Sequence, residues 1–406
     1  MDSAVVSSIT DILLDLFIIF IASKLAGELF ERIHQPAVIG ELLAGMLIGP
    51  FALGLLGEPG PALIAAFHGE EAAREALATL YEVLAEVGVI VLLFFVGLEI
   101  SLEDMLRVGR RAAVVGILGV LLPMLLGYTL ITYLGYPQAG AIFVGTAMVA
   151  TSVGITARVL ADFGALQSKE ASIILAAAVV DDVLGMILLA GVVGIENGQG
   201  SWGQVALVAV EAIAFTGFVV LVGTRVIRRY DTHLDDLRQR NGPFVAAMAV
   251  CLGLATLAGY VGLAAIIGAF LAGMAFSQTR QRPALVEQTK PVYDFLVPFF
   301  FVVTGAQVDP RIFLDTKLAG LALAVTGLAI VGKLVGCSLG ALGMGWRSTT
   351  VVGVGMVPRG EVGLIVAAIG LSVGALSAEL FSVVVVMSIL TTLLVPPVLN
   401  LLYQKR

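Results

Sequence analysis

The feature that most constrains the fold is a succession of apolar runs that continues from one end of the chain to the other. Each run holds about 20 residues, which as an α-helix crosses the roughly 30 Å hydrocarbon core of a bilayer. Hydrophobic residues make up 59% of the 406 residues and charged residues only 13%, about half the charged fraction of a soluble domain. Because backbone polar groups in lipid must be hydrogen-bonded within the chain, the runs predict helices. The sequence therefore predicts an all-α polytopic membrane protein.

Glycine, proline and charged residues divide the apolar runs into thirteen predicted transmembrane helices. These helices lie near residues 10–30, 37–57, 78–98, 111–133, 139–161, 170–194, 203–227, 243–260, 262–278, 292–308, 318–343, 349–374 and 379–403. Sixteen lysines and arginines fall in the C-terminal tail and the loops after odd-numbered helices, and three in the loops after even-numbered helices. The positive-inside rule then predicts an outside N-terminus and a cytoplasmic C-terminus. We expect a multi-pass protein of the cell membrane, of the bacterial inner-membrane type.

Two similar stretches lie seven predicted helices apart. IGELLAGM at 39–46 and IGAFLAGM at 267–274 are identical at six of eight positions. A weaker similarity links residues 95–106 with residues 303–314. Because seven is odd, the second copy enters the membrane from the opposite side, so helices 1–6 and 8–13 are interpreted as inverted repeats joined by helix 7. The alternative is chance similarity between glycine- and leucine-rich segments. Inverted repeats are typical of secondary transporters, which bind substrates where broken helices meet near the midplane.

Corresponding helices of the two repeats carry breaks, so we expect two crossed broken helices. Predicted helix 5 contains ATSVGITAR at 150–158, and predicted helix 12 contains VPRGEVG at 357–363, where proline and glycine interrupt the helical hydrogen bonds. Thr151 and Ser152 provide oxygen ligands for an ion or satisfy freed backbone groups, and the sequence leaves both readings open. Glu361 and Arg359 flank the second break, where we expect a structural role in neutralising the ends of the half-helices.

Two adjacent aspartates lie in the middle of predicted helix 6. Asp181 and Asp182 belong to VVDDVLGM at 179–186, and a charged residue at a helix centre costs about 2.5–3.5 kcal/mol to insert. Lys333, near the middle of predicted helix 11, is the expected partner of one aspartate. The other aspartate is then available to a monovalent cation or a proton, and competition for one site is enough to couple their fluxes. The alternative is a neutral aspartate–lysine pair that only fixes helix packing.

The motifs VVDDVLGM, TSVG, the later GK helix and PRGEVGLI together resemble the cation/proton antiporter superfamily over essentially the whole chain. The closest resemblance is to the two-carboxylate sodium/proton branch typified by the NapA and NhaA antiporters. It implies that Asp182 binds the sodium ion or the proton and that Asp181 forms a salt bridge with Lys333. It also implies electrogenic exchange of sodium or lithium for protons, with more protons than sodium ions per cycle, no cofactor and a homodimer.

The same resemblance implies a division into a scaffold and a moving core. Helices 4–6 and 11–13 form the core, and helices 1–3 and 8–10 form the dimerising scaffold. The expected bounds are scaffold 1–107, core 108–194, linker helix 195–240, scaffold 241–316 and core 317–406.

Several other functions are disfavoured. A potassium/proton antiporter of the Kef type is the main alternative, but such proteins commonly attach a cytosolic nucleotide-binding domain, and no GxGxxG follows a predicted strand here. A sodium-coupled solute symporter of similar fold is a second alternative, although Lys333 fits poorly in a site for sodium alone. An intramembrane aspartyl protease places its aspartates on separate helices, and a channel requires a lining stripe of polar residues. We therefore do not expect an enzyme. We also do not expect a nucleic-acid-binding protein, because the basic clusters are short and lie in predicted cytoplasmic loops.

Overall fold

The computed structural model describes residues 3–33, 35–100, 102–196, 202–223, 225, 241–307 and 316–404; for some helical residues, Glu361 among them, it describes only the backbone. All regular structure in these residues is helical. The α-helices are α1 Ser3–Arg32, α2 Ala37–Ile48, α3 Pro61–Ala66, α4 Glu70–Glu99, α5 Leu102–Tyr133, α6 Gln138–Val149, α7 Val153–Asp162, α8 Lys169–Glu196, α9 Trp202–Phe218, α10 Gly242–Tyr260, α11 Ala265–Phe276, α12 Arg282–Ala306, α13 Thr316–Gly340, α14 Trp346–Gly355, α15 Glu361–Ser372 and α16 Ala378–Gln404. A π-helical turn, Val219–Gly223, follows α9.

Seven helical segments in the described part of the chain are long and apolar enough to cross a membrane. They are Glu70–Glu99, Arg107–Tyr133, Gln138–Asp162, Lys169–Leu189, Gly242–Tyr260, Leu318–Gly340 and Ala378–Tyr403. The described residues also contain shorter apolar helices, including α2 and α11. The prediction of an all-α polytopic membrane protein is therefore confirmed.

Helix lengths differ from the predicted spans in both directions. The span predicted at 37–57 contains the 12-residue α2, which ends before Gly49 and Pro50, because proline cannot donate the next helical hydrogen bond. In contrast, α4, α5 and α12 begin several residues before the predicted spans and include charged residues such as Glu70 and Arg282. Hydropathy detects the part of a helix that crosses lipid, whereas a helix continues into water when its residues favour the conformation.

The chain forms two compact units, one of residues 1–91 and 291–315 and the other of residues 92–290 and 316–406. In the first unit, α2 packs directly against the backbone of its neighbours. A Cβ at Gly40 would overlap the Ala26 backbone in α1, and a Cβ at Gly45 would overlap the backbone of Val302 in α12. Reciprocally, a Cβ at Gly305 in α12 would overlap the α2 backbone at residue 42. Only glycine permits these helices to approach so closely.

The second unit contains the same arrangement around α11. A Cβ at Gly268 would overlap the backbone of α10 at Leu254, and a Cβ at Gly273 would overlap the backbone of α4 at Phe94. A Cβ at Gly97 in α4 would overlap the backbone of α11 at residue 270. Helix α11 therefore contacts α10 and α4 as α2 contacts α1 and α12.

Glycines also bring together α5, α8 and α13 in the second unit. Gly332, Gly336 and Gly340 of α13, which have the spacing of a small-residue packing motif, all face the backbone of α5, and a Cβ at Gly336 would lie 2.5 Å from the Leu118 carbonyl oxygen. On another side of α5, a Cβ at Gly116 would lie 3.0 Å from a carbonyl oxygen of α8. The helices that carry the two aspartates and the lysine thus both pack against α5.

Candidate ion-binding site

Asp181 of α8 and Lys333 of α13 form an ion pair inside the second unit. Lys333 Nζ donates a hydrogen bond of 2.6 Å to Asp181 Oδ1, and both side chains are completely buried. The other carboxylate oxygen, Asp181 Oδ2, is buried with no hydrogen-bond partner among the described residues. A pair in such surroundings is screened little, and removing one partner of a buried pair typically costs about 3–5 kcal/mol.

The lysine occupies space left by small residues. A Cβ at Gly119 of α5 would lie 2.7 Å from Cys337 Sγ and 3.6 Å from Lys333 Nζ. Gly119 therefore leaves room for the Cys337 thiol and lies in ordinary contact with the lysine side chain, a role that the sequence interpretation missed. Cys337 is fully buried in the same contact. The sequence did contain a sign of this close packing: Gly116 and Gly119 are three residues apart, so they are neighbours on the surface of α5.

Asp182 is buried next to the ion pair, with 7% of its surface exposed. Consecutive helical residues differ by about 100° around the axis, so Asp182 cannot occupy the position of Asp181 against Lys333. Two carboxylates on one turn therefore have two different surroundings.

The first helix break separates α6 from α7. Helix α6 ends at Val149 and α7 begins at Val153, with Ser152 in an extended conformation. Thr151 and Ser152 within this break are almost fully buried. Their groups contact the second break: the Ser152 N–H donates to the Pro358 carbonyl at 2.8 Å, and the Thr151 hydroxyl donates to the Met356 carbonyl at 3.3 Å.

The second break separates α14, which ends at Gly355, from α15, which begins at Glu361. Arg359 lies inside it and is completely buried. Its guanidinium donates to the carbonyls of Val357 and Met356, and to the Ala329 carbonyl of α13 at 3.3 Å. Ala329 lies one turn before Lys333, so Arg359 connects the break to the helix that carries the ion pair.

Two threonines of α16 hold the Arg359 backbone. The Arg359 N–H donates to Thr391 Oγ1 at 3.1 Å, and the Thr392 hydroxyl donates to the Arg359 carbonyl. These residues were missed by the sequence interpretation, although two adjacent hydroxyls inside the apolar run of α16 were a usable signal. Glu361 is the first residue of α15. Its own side chain lies outside the described part of the chain, so its predicted structural role stays a prediction.

The structure thus brings together the predicted residues in two groups. Lys333 donates to Asp181, while Thr151, Ser152 and Arg359 each donate to a carbonyl of residues 356–358 in the second break. Charges of the two groups also interact, because Arg359 lies within electrostatic range of Asp181 and Lys333. The carboxylates, hydroxyls and non-helical carbonyls of these two groups are the kinds of oxygen ligand that a hard cation prefers.

Comparison with known proteins identifies the family. A model described as the transmembrane part of sodium/hydrogen exchangers matches residues 16–404. The chain belongs to this sodium/hydrogen exchanger family. Its relatives are transporters rather than enzymes, and cation/proton exchange needs no cofactor.

Two relatives and one solved structure illustrate the similarity. The High-affinity Na(+)/H(+) antiporter NhaS3 of Synechocystis is 38% identical over 97% of this chain and 90% of its own. The Na(+)/H(+)-K(+) antiporter GerN of Bacillus cereus is 34% identical over 94% of both chains. The structure of the sodium proton antiporter MjNhaP1 of Methanocaldococcus jannaschii matches with a TM-score of 0.65 at 17% identity, covering 98% of this chain and 99% of its own. This last match shows a shared fold.

Proposed function

We propose that this protein exchanges sodium, or lithium, for protons across the membrane by letting both compete for Asp182. The observation that carries the proposal is a second aspartate buried beside the completed Asp181–Lys333 pair, in a chain of the exchanger family. Because Lys333 bonds to Asp181, we assign the ion or the proton to Asp182, whose charge inside a membrane helix is otherwise costly.

The coupling follows from competition at one carboxylate. Sodium bound at Asp182 excludes the proton, and a proton bound there removes the charge that attracts sodium. A site that reorients only when loaded with one of the two then moves them in opposite directions. The hydroxyls of Thr151 and Ser152 are the proposed additional oxygen ligands.

We place the protein in the two-aspartate, electrogenic branch of the superfamily. In this mechanism Asp181 joins the ion site when sodium binds, and Lys333, without its partner, releases a second proton. The support is the direct 2.6 Å contact between Lys333 and Asp181, because any movement of that carboxylate toward an ion changes the surroundings of the lysine.

Alternating access is proposed to move a core, residues 108–194 and 317–406, against a scaffold, residues 1–107 and 241–316, on either side of the linker at 195–240. Matching glycine contacts support a repeat relation between helices 1–6 and 8–13 and, with it, thirteen spans. Gly45 and Gly273 hold the same position in the repeated octapeptide, and the residues whose backbones they meet, Val302 and Phe94, also correspond. Transporters built from inverted repeats commonly reorient in this way.

The proposed topology has the N-terminus outside and the C-terminus in the cytoplasm, as the distribution of basic residues favours. A homodimer in the bacterial inner membrane is proposed on the family resemblance. Native mass spectrometry of the purified protein measures the oligomeric state.

Potassium is a second candidate cargo, because the name of the relative GerN includes potassium as well as sodium. The name of NhaS3, which is more similar to this chain, includes sodium and protons only. Sodium is therefore the cation that we propose first.

The test uses purified protein in proteoliposomes with an imposed pH gradient and an internal pH-sensitive dye. Sodium or lithium is expected to dissipate the gradient, and potassium to do so poorly. The apparent sodium affinity is expected to fall as pH falls, approaching tenfold per unit once the proton occupies the site. An equal response to all three cations would favour the potassium alternative, and a sodium affinity independent of pH would contradict competition.

Substitution of the proposed binding residue gives the most direct test. Asp182→Asn keeps the side-chain shape but removes the exchangeable charge, so exchange in the same proteoliposomes should be lost. The matched control is Glu379→Gln, at an acidic residue whose carboxylate accepts a hydrogen bond from Tyr136, and it should exchange normally. Full transport by Asp182→Asn would remove this residue from the site.

A further inference from the structure

A second site is indicated by a basic cavity away from the ion pair. The cavity has a volume of about 770 Å³ and lies among the ends of α5, α8 and α13. Its lining includes Arg107, Arg110 and Arg111 of α5, Lys169 at the start of α8 and Gly340 at the end of α13. Volumes of about 300–1,000 Å³ are usual for sites that hold organic ligands.

Three of the four cations around this basic cavity have no partner in the described part of the protein. Arg110, Arg111 and Lys169 form no ion pair or hydrogen bond within these residues, whereas the nearby Arg282 pairs with Glu99 at 3.2 Å. No acidic residue lies among the described lining residues. The acid next to Lys169, Glu170, accepts a hydrogen bond from the Ser348 hydroxyl.

The helix ends leave the positive potential of the side chains in place. Helix α8 begins at Lys169, so the positive end of its dipole faces the basic side chains and offsets the negative end of α13 at Gly340. This potential repels sodium, which makes the cavity a poor entry route for the cation. It favours an anion, and arginine guanidinium groups match the geometry of phosphate oxygens with paired hydrogen bonds.

We propose that this basic cavity binds a phosphate-bearing anion, either the headgroup of an anionic lipid or a free phosphate. Basic pockets between transmembrane helices on the cytoplasmic side bind such headgroups, and the predicted topology puts these residues on that side. Twelve residues, or about 18 Å of helix, separate Lys169 from Asp181. The anion therefore binds the ends of the helices that carry the ion pair and stabilises one arrangement of α5, α8 and α13.

The test measures thermal unfolding of the full-length protein in detergent with one of three additions: dioleoylphosphatidylglycerol, dioleoylphosphatidylcholine or inorganic phosphate. The test variant is Arg110→Gln/Lys169→Gln, and both single variants are measured as well in case the double variant folds poorly. The control is Lys290→Gln, which removes an exposed lysine on the same predicted side that does not line the cavity.

Phosphatidylglycerol is expected to raise the melting temperature of the native protein and the control more than phosphatidylcholine does. Its apparent affinity should fall about fivefold for each cation removed. A similar variant-sensitive shift with inorganic phosphate alone would identify free phosphate as the ligand. If neither anion gives a shift, or if the variants respond as the native protein does, the proposal is wrong.

Discussion

Two buried cations, Lys333 and Arg359, lie in neighbouring parts of the interior but have different kinds of partner. Lys333 contacts the carboxylate of Asp181, whereas Arg359 contacts the carbonyls of Met356, Val357 and Ala329. A carboxylate can take up a proton or an ion, and its attraction for the lysine then changes. Carbonyls keep the same charge at every pH, so the attraction for the arginine is permanent. The difference separates a cation that can take part in exchange from one that holds the helix break.

The largest expected effect on stability is that of Arg359→Gln. The shorter neutral side chain leaves up to three buried carbonyls unsatisfied, and each such group costs about 1–3 kcal/mol, so we expect a loss of about 3–5 kcal/mol in the free energy of unfolding. Thermal unfolding in detergent measures this change. The control Arg359→Lys keeps the charge and should lose less, and a fully stable Arg359→Gln would show that the guanidinium does not hold the break.

Lys333→Ala should affect stability less than Arg359→Gln and transport in a specific way. Asp181 loses its partner but can become neutral by binding a proton, which keeps the loss of stability below the roughly 3–5 kcal/mol typical of a buried pair that loses one member. Exchange should persist at a reduced rate, with reduced dependence on membrane potential, because the lysine proton no longer moves. Proteoliposomes clamped with a potassium gradient and valinomycin measure that dependence. Unchanged voltage dependence would exclude Lys333 as a proton carrier.

A smaller effect is expected for Thr151→Val. This change removes the hydrogen bond to Met356 and one proposed oxygen ligand, and a net loss of about 1 kcal/mol corresponds to about a fivefold weaker apparent sodium affinity. The sodium concentration that gives half-maximal exchange measures it. If the melting temperature falls while the sodium affinity stays the same, the threonine is only structural.

The smallest effect on transport is expected for Thr391→Val, which removes the acceptor for the Arg359 N–H. The loss of one buried hydrogen bond should lower stability by about 0.5–1.5 kcal/mol. The apparent sodium affinity should not change, since this threonine supports the arginine rather than the ion. A changed sodium affinity with an unchanged melting temperature would contradict the proposed separation between the two buried cations.

The sequence indicated the fold class and the positions of the breaks because both depend on local chemistry. Apolar runs predict helices in lipid, and the Pro358–Gly360 stretch interrupts one of them wherever it lies. The stripe Gly332, Gly336 and Gly340 also has a local signature, the spacing of a small-residue packing motif, and these glycines contact α5. Helix ends were less well predicted, since hydropathy does not detect the polar turns at the start of α4 and α12.

Other parts of the site could not be predicted because they depend on backbone groups far away in the chain. The Ala329 carbonyl that binds Arg359 is 30 residues away from it, and a carbonyl leaves no mark on the sequence. The space for Cys337, one turn after Lys333, is likewise set by Gly119, more than 200 residues earlier. Side-chain types show which charges need a partner, whereas the fold determines which uncharged groups surround them.

The permanent charge of Arg359 has a consequence for how voltage drives the proposed cycle. With sodium bound between two ionised aspartates and Lys333 neutral, the two carboxylates, the sodium ion and Arg359 sum to zero. Without sodium, and with Asp182 protonated and Lys333 charged, the two aspartates, Lys333 and Arg359 sum to one positive charge. The two forms differ by one positive charge, so a membrane potential does about 2.3 kcal/mol more work per 100 mV on the second form for a full crossing. An interior-negative potential therefore draws the proton-carrying half of the proposed cycle inward more strongly than the sodium-carrying half.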